Sequence, residues 1–92
     1  MKSPDKICEE YYDKKVKLTV KKLDDETILF EGNQEELEFL GNLLLAQAQF
    51  KEDCGFSISP GGAGSALFSD KSSIGLYIHR LPCDHGEIDE KK

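Results

Sequence analysis

Ninety-two residues allow one domain, which buries about 60–65% of its unfolded surface and leaves little bulk for a deep enclosed cleft, so an enzyme is not expected. Eighteen acidic residues against twelve basic give a net charge of −6, which repels nucleic-acid phosphate and suits a basic partner. No stretch approaches the length of a membrane span, so neither nucleic acid nor membrane is expected as a partner.

The chain opens with MKSPDKICEEYYDKK. This stretch lacks the apolar run of a signal peptide. Residues 1–14 read as a flexible lead-in, with Tyr11 and Tyr12 tacking its end to the domain. Val16 to Lys21 alternates apolar and polar, the period of a strand. Asp24-Asp25-Glu26 is a polar turn, and Thr27 to Glu31 is a second strand rich in β-formers. Together they predict an antiparallel hairpin.

Asn33 is a good N-cap, and Glu36 stands three residues later as its capping-box partner. A helix is predicted from about Gln34 to about Phe50. Glu35 and Glu36 suit its positive end, and Lys51 its negative end. Cys54 to Ser59 is a third strand. Residues 60–65, PGGAGS, form a loop, after which Leu67-Phe68 drops back as a small plug. Ile74 to Leu81 is a fourth strand that Pro82 ends. The predicted fold is α+β: a two-layer sandwich of one four-stranded, mainly antiparallel sheet with one helix on one face, in the order β-β-α-β-β. The domain spans residues 15–82, followed by a disordered acidic tail over 83–92. The predicted core is Val16, Leu18, Val20, Ile28, Phe30, Leu37, Leu40, Leu44, Ala48, Phe56, Ile58, Ile74, Leu76 and Ile78.

Little in the chain carries catalysis. Cys83 and His85 would make a thiol–base pair, but they sit in the tail with nothing to position them. Cys83, His85, His79, Cys8 and Cys54 lack the paired spacing of a zinc site, so no metal is expected. Gly61-Gly62-Ala63-Gly64-Ser65 lacks the lysine that a phosphate loop needs and reads as a flexible connection. No cofactor is expected. An odd, sparse set of three cysteines is not a disulfide framework. It suggests free thiols in a reducing cytoplasm.

The helix carries the binding information. At about 100° per residue, Leu37, Leu40, Gly41, Leu44 and Ala48 form one apolar stripe. Phe39, Leu43, Ala46 and Phe50 form a second, nearly opposite. One sheet takes one stripe, and the first is assigned to the core. The second needs cover from the Tyr11-Tyr12 segment, the 60–73 loop or another chain. The reading adopted is a partner-binding stripe of Phe39, Leu43 and Phe50, flanked by Glu35 and Glu38. The outer face of the sheet, with Leu29, Tyr77 and Leu81 among polar neighbours, is expected to be solvated.

The run ILFEGNQEELEFLGNLLLAQAQ, a polar strand and glycine loop, and then LFSDKSSIGLYIHRL resemble the small immunity-protein family numbered 32 of bacterial polymorphic-toxin systems. The likeness covers residues 16–81 and lies in the hydrophobic pattern. The third strand reads CGFSIS, without the histidines of some relatives. The resemblance implies a protein made beside a toxin, which it binds and neutralises by direct contact. The alternative from a different class is a self-associating structural or adaptor module.

Overall fold

The computed structural model describes residues 2–83. The first element is a helix, α1 (Pro4–Asp13). Ser3 caps it, its Oγ accepting from the Lys6 N–H at 3.2 Å, and Pro4 occupies the first turn, where no N–H is needed. Ile7 and Tyr11, four residues apart on one face, are buried. The lead-in expected over 1–14 is therefore corrected: most of it is a docked helix. The signal is in the chain: Ser3-Pro4-Asp5 is a helix start, and Pro4, Ile7, Cys8, Tyr11 and Tyr12 recur at i, i+3, i+4, i+7 and i+8.

Strands β1 (Thr19–Asp24) and β2 (Thr27–Glu31) form the predicted antiparallel hairpin, with the first strand running from Thr19 to Asp24 and not from Val16 to Lys21. Val20 pairs with Phe30 and Lys21 with Leu29, and a bulge interrupts β1 between Lys22 and Asp24. In the turn, Asp24 Oδ1 accepts from the Glu26 N–H at 2.8 Å.

Helix α2 (Gln34–Gln49) starts where the capping box puts it. Asn33 Oδ1 accepts from the Glu36 N–H at 2.8 Å, and Glu36 Oε1 accepts from the Asn33 N–H at 2.8 Å. Glu36 Oε2 also accepts from the Lys17 N–H at 3.1 Å, tying the helix to the chain entering β1. A Cβ on Gly32 would stand 2.6 Å from Glu36 Cβ, so glycine is required beside this carboxylate. Asn33→Ala should lower stability by about 1 kcal/mol in urea unfolding; no change would mean that water replaces the cap freely.

The sheet differs from the expected one. β3 (Gly55–Ile58) and β4 (Leu76–His79) form a second antiparallel hairpin, so the structure holds two helices and two separate two-stranded sheets. The single four-stranded sheet is overturned by the chain between residues 67 and 74, which runs along the free side of β1. The Leu18 N–H donates to the Leu67 carbonyl at 2.9 Å, and the Ser69 N–H to the Leu18 carbonyl at 2.8 Å. A turn then intrudes, and the Ser72 hydroxyl takes the place of backbone. It accepts from the Val20 N–H at 3.0 Å and donates to the Leu18 carbonyl at 3.0 Å. Serine hydroxyls compete with ladder formation in this way, and SDKSS is rich in them. The ladder is broken where a fourth strand would have joined β1.

The core gathers Ile7, Tyr11, Val16, Leu18, Val20, Phe39, Leu43, Ala46, Ile58, Leu67 and Phe68. Leu40, Phe56, Ile74, Leu76 and Ile78 pack half-buried against it. The Leu67-Phe68 plug is buried as expected. Ile28, Phe30, Leu37, Leu44 and Ala48, all expected inside, are exposed. The cause is α1. It packs on α2 and offers the Tyr11 ring to Phe39, centroids 5.2 Å apart. Asn42 Nδ2 donates to the Tyr11 hydroxyl at 2.9 Å. With a helix covering that side, the Phe39–Leu43–Ala46 stripe turns inward and the leucine stripe turns out.

The C-terminal end of α2 is closed by a polar cluster. Arg80 Nη2 donates to the Phe50 carbonyl at 3.0 Å, supplying the cation expected from Lys51. The Arg80 N–H donates to the Cys54 carbonyl at 2.8 Å. Cys54 and Cys83 are joined as a disulfide with their Cα atoms 5.7 Å apart, which corrects the expectation of three free thiols; Cys8 is the free cysteine among the described residues. The cysteines therefore no longer point to a reducing cytoplasm. No described helix is long and apolar enough to cross a membrane. The expected tail beyond Cys83 lies outside the described residues.

Candidate interaction surface

The residues singled out for chemistry are dispersed. Cys83 is held in the disulfide, so it is no thiol nucleophile. His85 lies outside the described residues. His79 ends β4 with its ring edge-on to Tyr77, centroids 6.3 Å apart. Among the described residues no group of three or more His, Cys, Asp or Glu side chains is placed to hold a metal ion.

The glycine loop is a closed turn, not a flexible connection. The Ser59 N–H donates to the Ala63 carbonyl at 2.8 Å and the Ser65 N–H to the Gly62 carbonyl at 3.1 Å. Gly64 adopts φ 80°, and a Cβ there would meet Ile58 Cγ2 at 2.6 Å. The Gly62 N–H is likewise spent within the turn, on the Ser59 carbonyl at 3.3 Å.

Beside this turn, Cys8, Tyr12 and Leu67 help line an open groove of about 310 Å³. Burial, and secondarily the charge of Asp5, raises the Cys8 thiol from 9.0 to about 11. The folded state therefore favours the protonated form. This contribution to stability is intact below pH 9 and is lost as pH rises from there towards 11. At neutral pH, iodoacetamide should label Cys8 more slowly than an unperturbed thiol, by about tenfold or more, read by mass spectrometry. Labelling at the ordinary rate would show that the thiol is freely solvated.

The predicted binding stripe is corrected. Phe39 and Leu43 are wholly buried at 0% exposure, and Phe50 is half-buried as the C-cap of α2. Of its acidic flank, Glu35 pairs with Lys14 at 3.6 Å and Glu38 accepts from Gln34 Nε2 at 3.0 Å. Both glutamates are exposed, but the apolar anchors they were to frame belong to the core.

The exposed apolar surface is the other stripe. Leu37 and Leu44 are each 45% exposed on α2, and Ile28 and Phe30 are 44% and 42% exposed on β2. Phe30 pairs with Val20 in the hairpin, so it shares that residue's face of the sheet. Ile28, two residues earlier, points the same way. Val20 is covered, whereas Phe30 and Ile28 continue its row into solvent. The two elements carrying these residues touch.

Charge is segregated around the same elements. Residues 23–50 contain Asp24, Asp25, Glu26, Glu31, Glu35, Glu36 and Glu38, and no lysine or arginine. All twelve basic residues lie outside this span. The sequence shows this distribution directly, and it points to β2 and α2, with Lys21 and Lys22 of β1 just outside the acidic span.

No family model, no curated protein and no solved structure matches the chain.

Proposed function

We propose that this chain is a binding domain that blocks a cognate toxin by direct protein–protein contact. The observation that supports it most is the half-exposed apolar set Ile28, Phe30, Leu37 and Leu44, borne on a span whose charged residues are all acidic. Apolar anchors exclude water and hold a complex, while a field of one sign speeds encounter with the opposite sign. The partner on this reading is a basic protein. The toxin is the more specific element, and it rests on the resemblance of residues 16–81 to the immunity-protein family.

Co-expression with the product of the neighbouring gene tests it. That product alone should arrest growth of a host lacking both genes, and the intact chain should restore it. The Leu37→Asp, Leu44→Asp double variant should fold, because both positions face solvent, yet fail to restore growth. A harmless neighbour, or equal rescue by the folded variant, would sink the proposal.

A further inference from the structure

We propose that the partner engages this domain by adding a β-strand to the open edge of β2, and that the added strand alternates apolar with basic residues. This rests on the protein-binding reading above and specifies its geometry.

β1 pairs with β2 on one side, and on the other the chain over 67–74 covers its first half, taking the Val20 N–H and C=O and those of Leu18 just before it. β2 pairs with β1 alone among the described residues. In an antiparallel pair, every second residue of an edge strand turns its N–H and C=O outward, ready for another chain. Sequences usually blunt such an edge with proline, a bulge or an inward-facing charge. Thr27-Ile28-Leu29-Phe30-Glu31 has neither proline nor bulge; the irregularity of this hairpin lies in β1. The side chains that β2 turns to the inner face are Ile28 and Phe30, both uncharged. The rival edges, of β3 and β4, are shorter at four residues each, and the N–H of Gly55, the first residue of β3, already donates to Asp53 Oδ1 at 3.2 Å.

The side chains then choose the occupant. A strand added to β2 aligns alternate residues with Ile28 and Phe30, next to the leucine row of α2, and these positions call for apolar side chains. Its other residues line up with Thr27, Leu29 and Glu31. Around them stand Glu31 and the turn carboxylates of Asp24, Asp25 and Glu26, which outnumber the two lysines of β1: Lys21, paired with Leu29, and Lys22, paired with Ile28 and 3.9 Å from Asp25. These positions call for lysine or arginine. A second copy of this chain would bring its own acidic span against the first, and like charges in register disfavour it.

The test uses the full chain and a short synthetic peptide alternating lysine with valine. Two controls are its glutamate–valine counterpart and the lysine–valine peptide N-methylated on alternate backbone nitrogens, which keeps the charge and removes ladder donors. Hydrogen exchange is followed at the β2 amides. The lysine–valine peptide should slow alternate amides of β2 by about tenfold or more, and both controls should leave them unchanged. Ile28→Lys, which puts a charge on the inner face of the edge, should abolish the protection. Equal protection by the methylated peptide, or binding without any change at β2, overturns strand addition. Protection that grows with protein concentration in the absence of peptide assigns the edge to a second copy and also overturns it. The two readings fail separately. Toxin rescue that depends on Leu37 and Leu44, with β2 exchange unchanged in the complex, retains the binding function and removes the strand.

Discussion

Phe39→Ala should remove about 3–5 kcal/mol of stability, the usual cost of deleting a fully buried phenylalanine. A domain of this length has about 5–14 kcal/mol in total, so the variant should stand near its unfolding threshold. The loss has two parts. Phe39 sits between α1 and the core at 0% exposure, and its ring meets Tyr11 at 5.2 Å. Truncation opens a cavity and unseats the residue that anchors α1. Leu44→Ala, on the opposite stripe, should cost no more than roughly 1 kcal/mol. Urea midpoints of the two variants side by side decide the matter. Comparable losses would mean that α2 is rolled differently about its axis.

Removing the Cys54–Cys83 bridge should have the second large effect. The bonded cysteines are 29 positions apart in sequence. Closing a loop of that size limits the unfolded chain by about 3–4 kcal/mol on the chain-entropy account. The bridge encloses β3, the glycine turn, the plug and β4, which is also the segment that satisfies the outer side of β1. Paired Cys54→Ser and Cys83→Ser replacements, or reduction of the intact chain, should therefore lower the denaturation midpoint. A tryptic digest under non-reducing conditions should yield the two cysteine peptides joined. Separate peptides in the freshly purified protein would show that the cysteines stand side by side as thiols.

Both predictions concern places where sequence and structure part company. The β1–β2 hairpin and the start of α2 were legible because their signals are local. A polar turn fixes one, and a reciprocal pair of side-chain bonds between Asn33 and Glu36 fixes the other. The orientation of α2 was not legible because both of its stripes are apolar. The choice between them depends on α1, whose Ser3-Pro4 start and apolar Pro4, Ile7 and Tyr11 were legible but whose docking on α2 was not. The break in the sheet followed from single hydroxyl groups: Ser72 reads as an ordinary polar residue until Val20 and Leu18 are beside it. Cys54 and Cys83 stand far apart in sequence, and only the folding of β3 against β4 brings them together. The apolar pattern thus marked the candidate surface as one of two faces, and one undetected helix decided which.

The carboxylate of Glu36 has a consequence for how the chain can vary. One of its oxygens serves the Asn33 amide and the other the Lys17 amide, while its own Cβ lies where a side chain on Gly32 would go. A local count of residues and a distant strand are thereby locked to one group, which acts as a ruler between hairpin and helix. Insertions in the turn around Asp25 leave that ruler untouched and merely lengthen a solvent-facing tip. A single residue inserted between Gly32 and Glu36 moves the carboxylate by about 100° around the helix, and cap and strand tether fail together. Naturally occurring variants of this chain should accordingly differ in length at the hairpin tip and keep a constant spacing from Gly32 to Glu36.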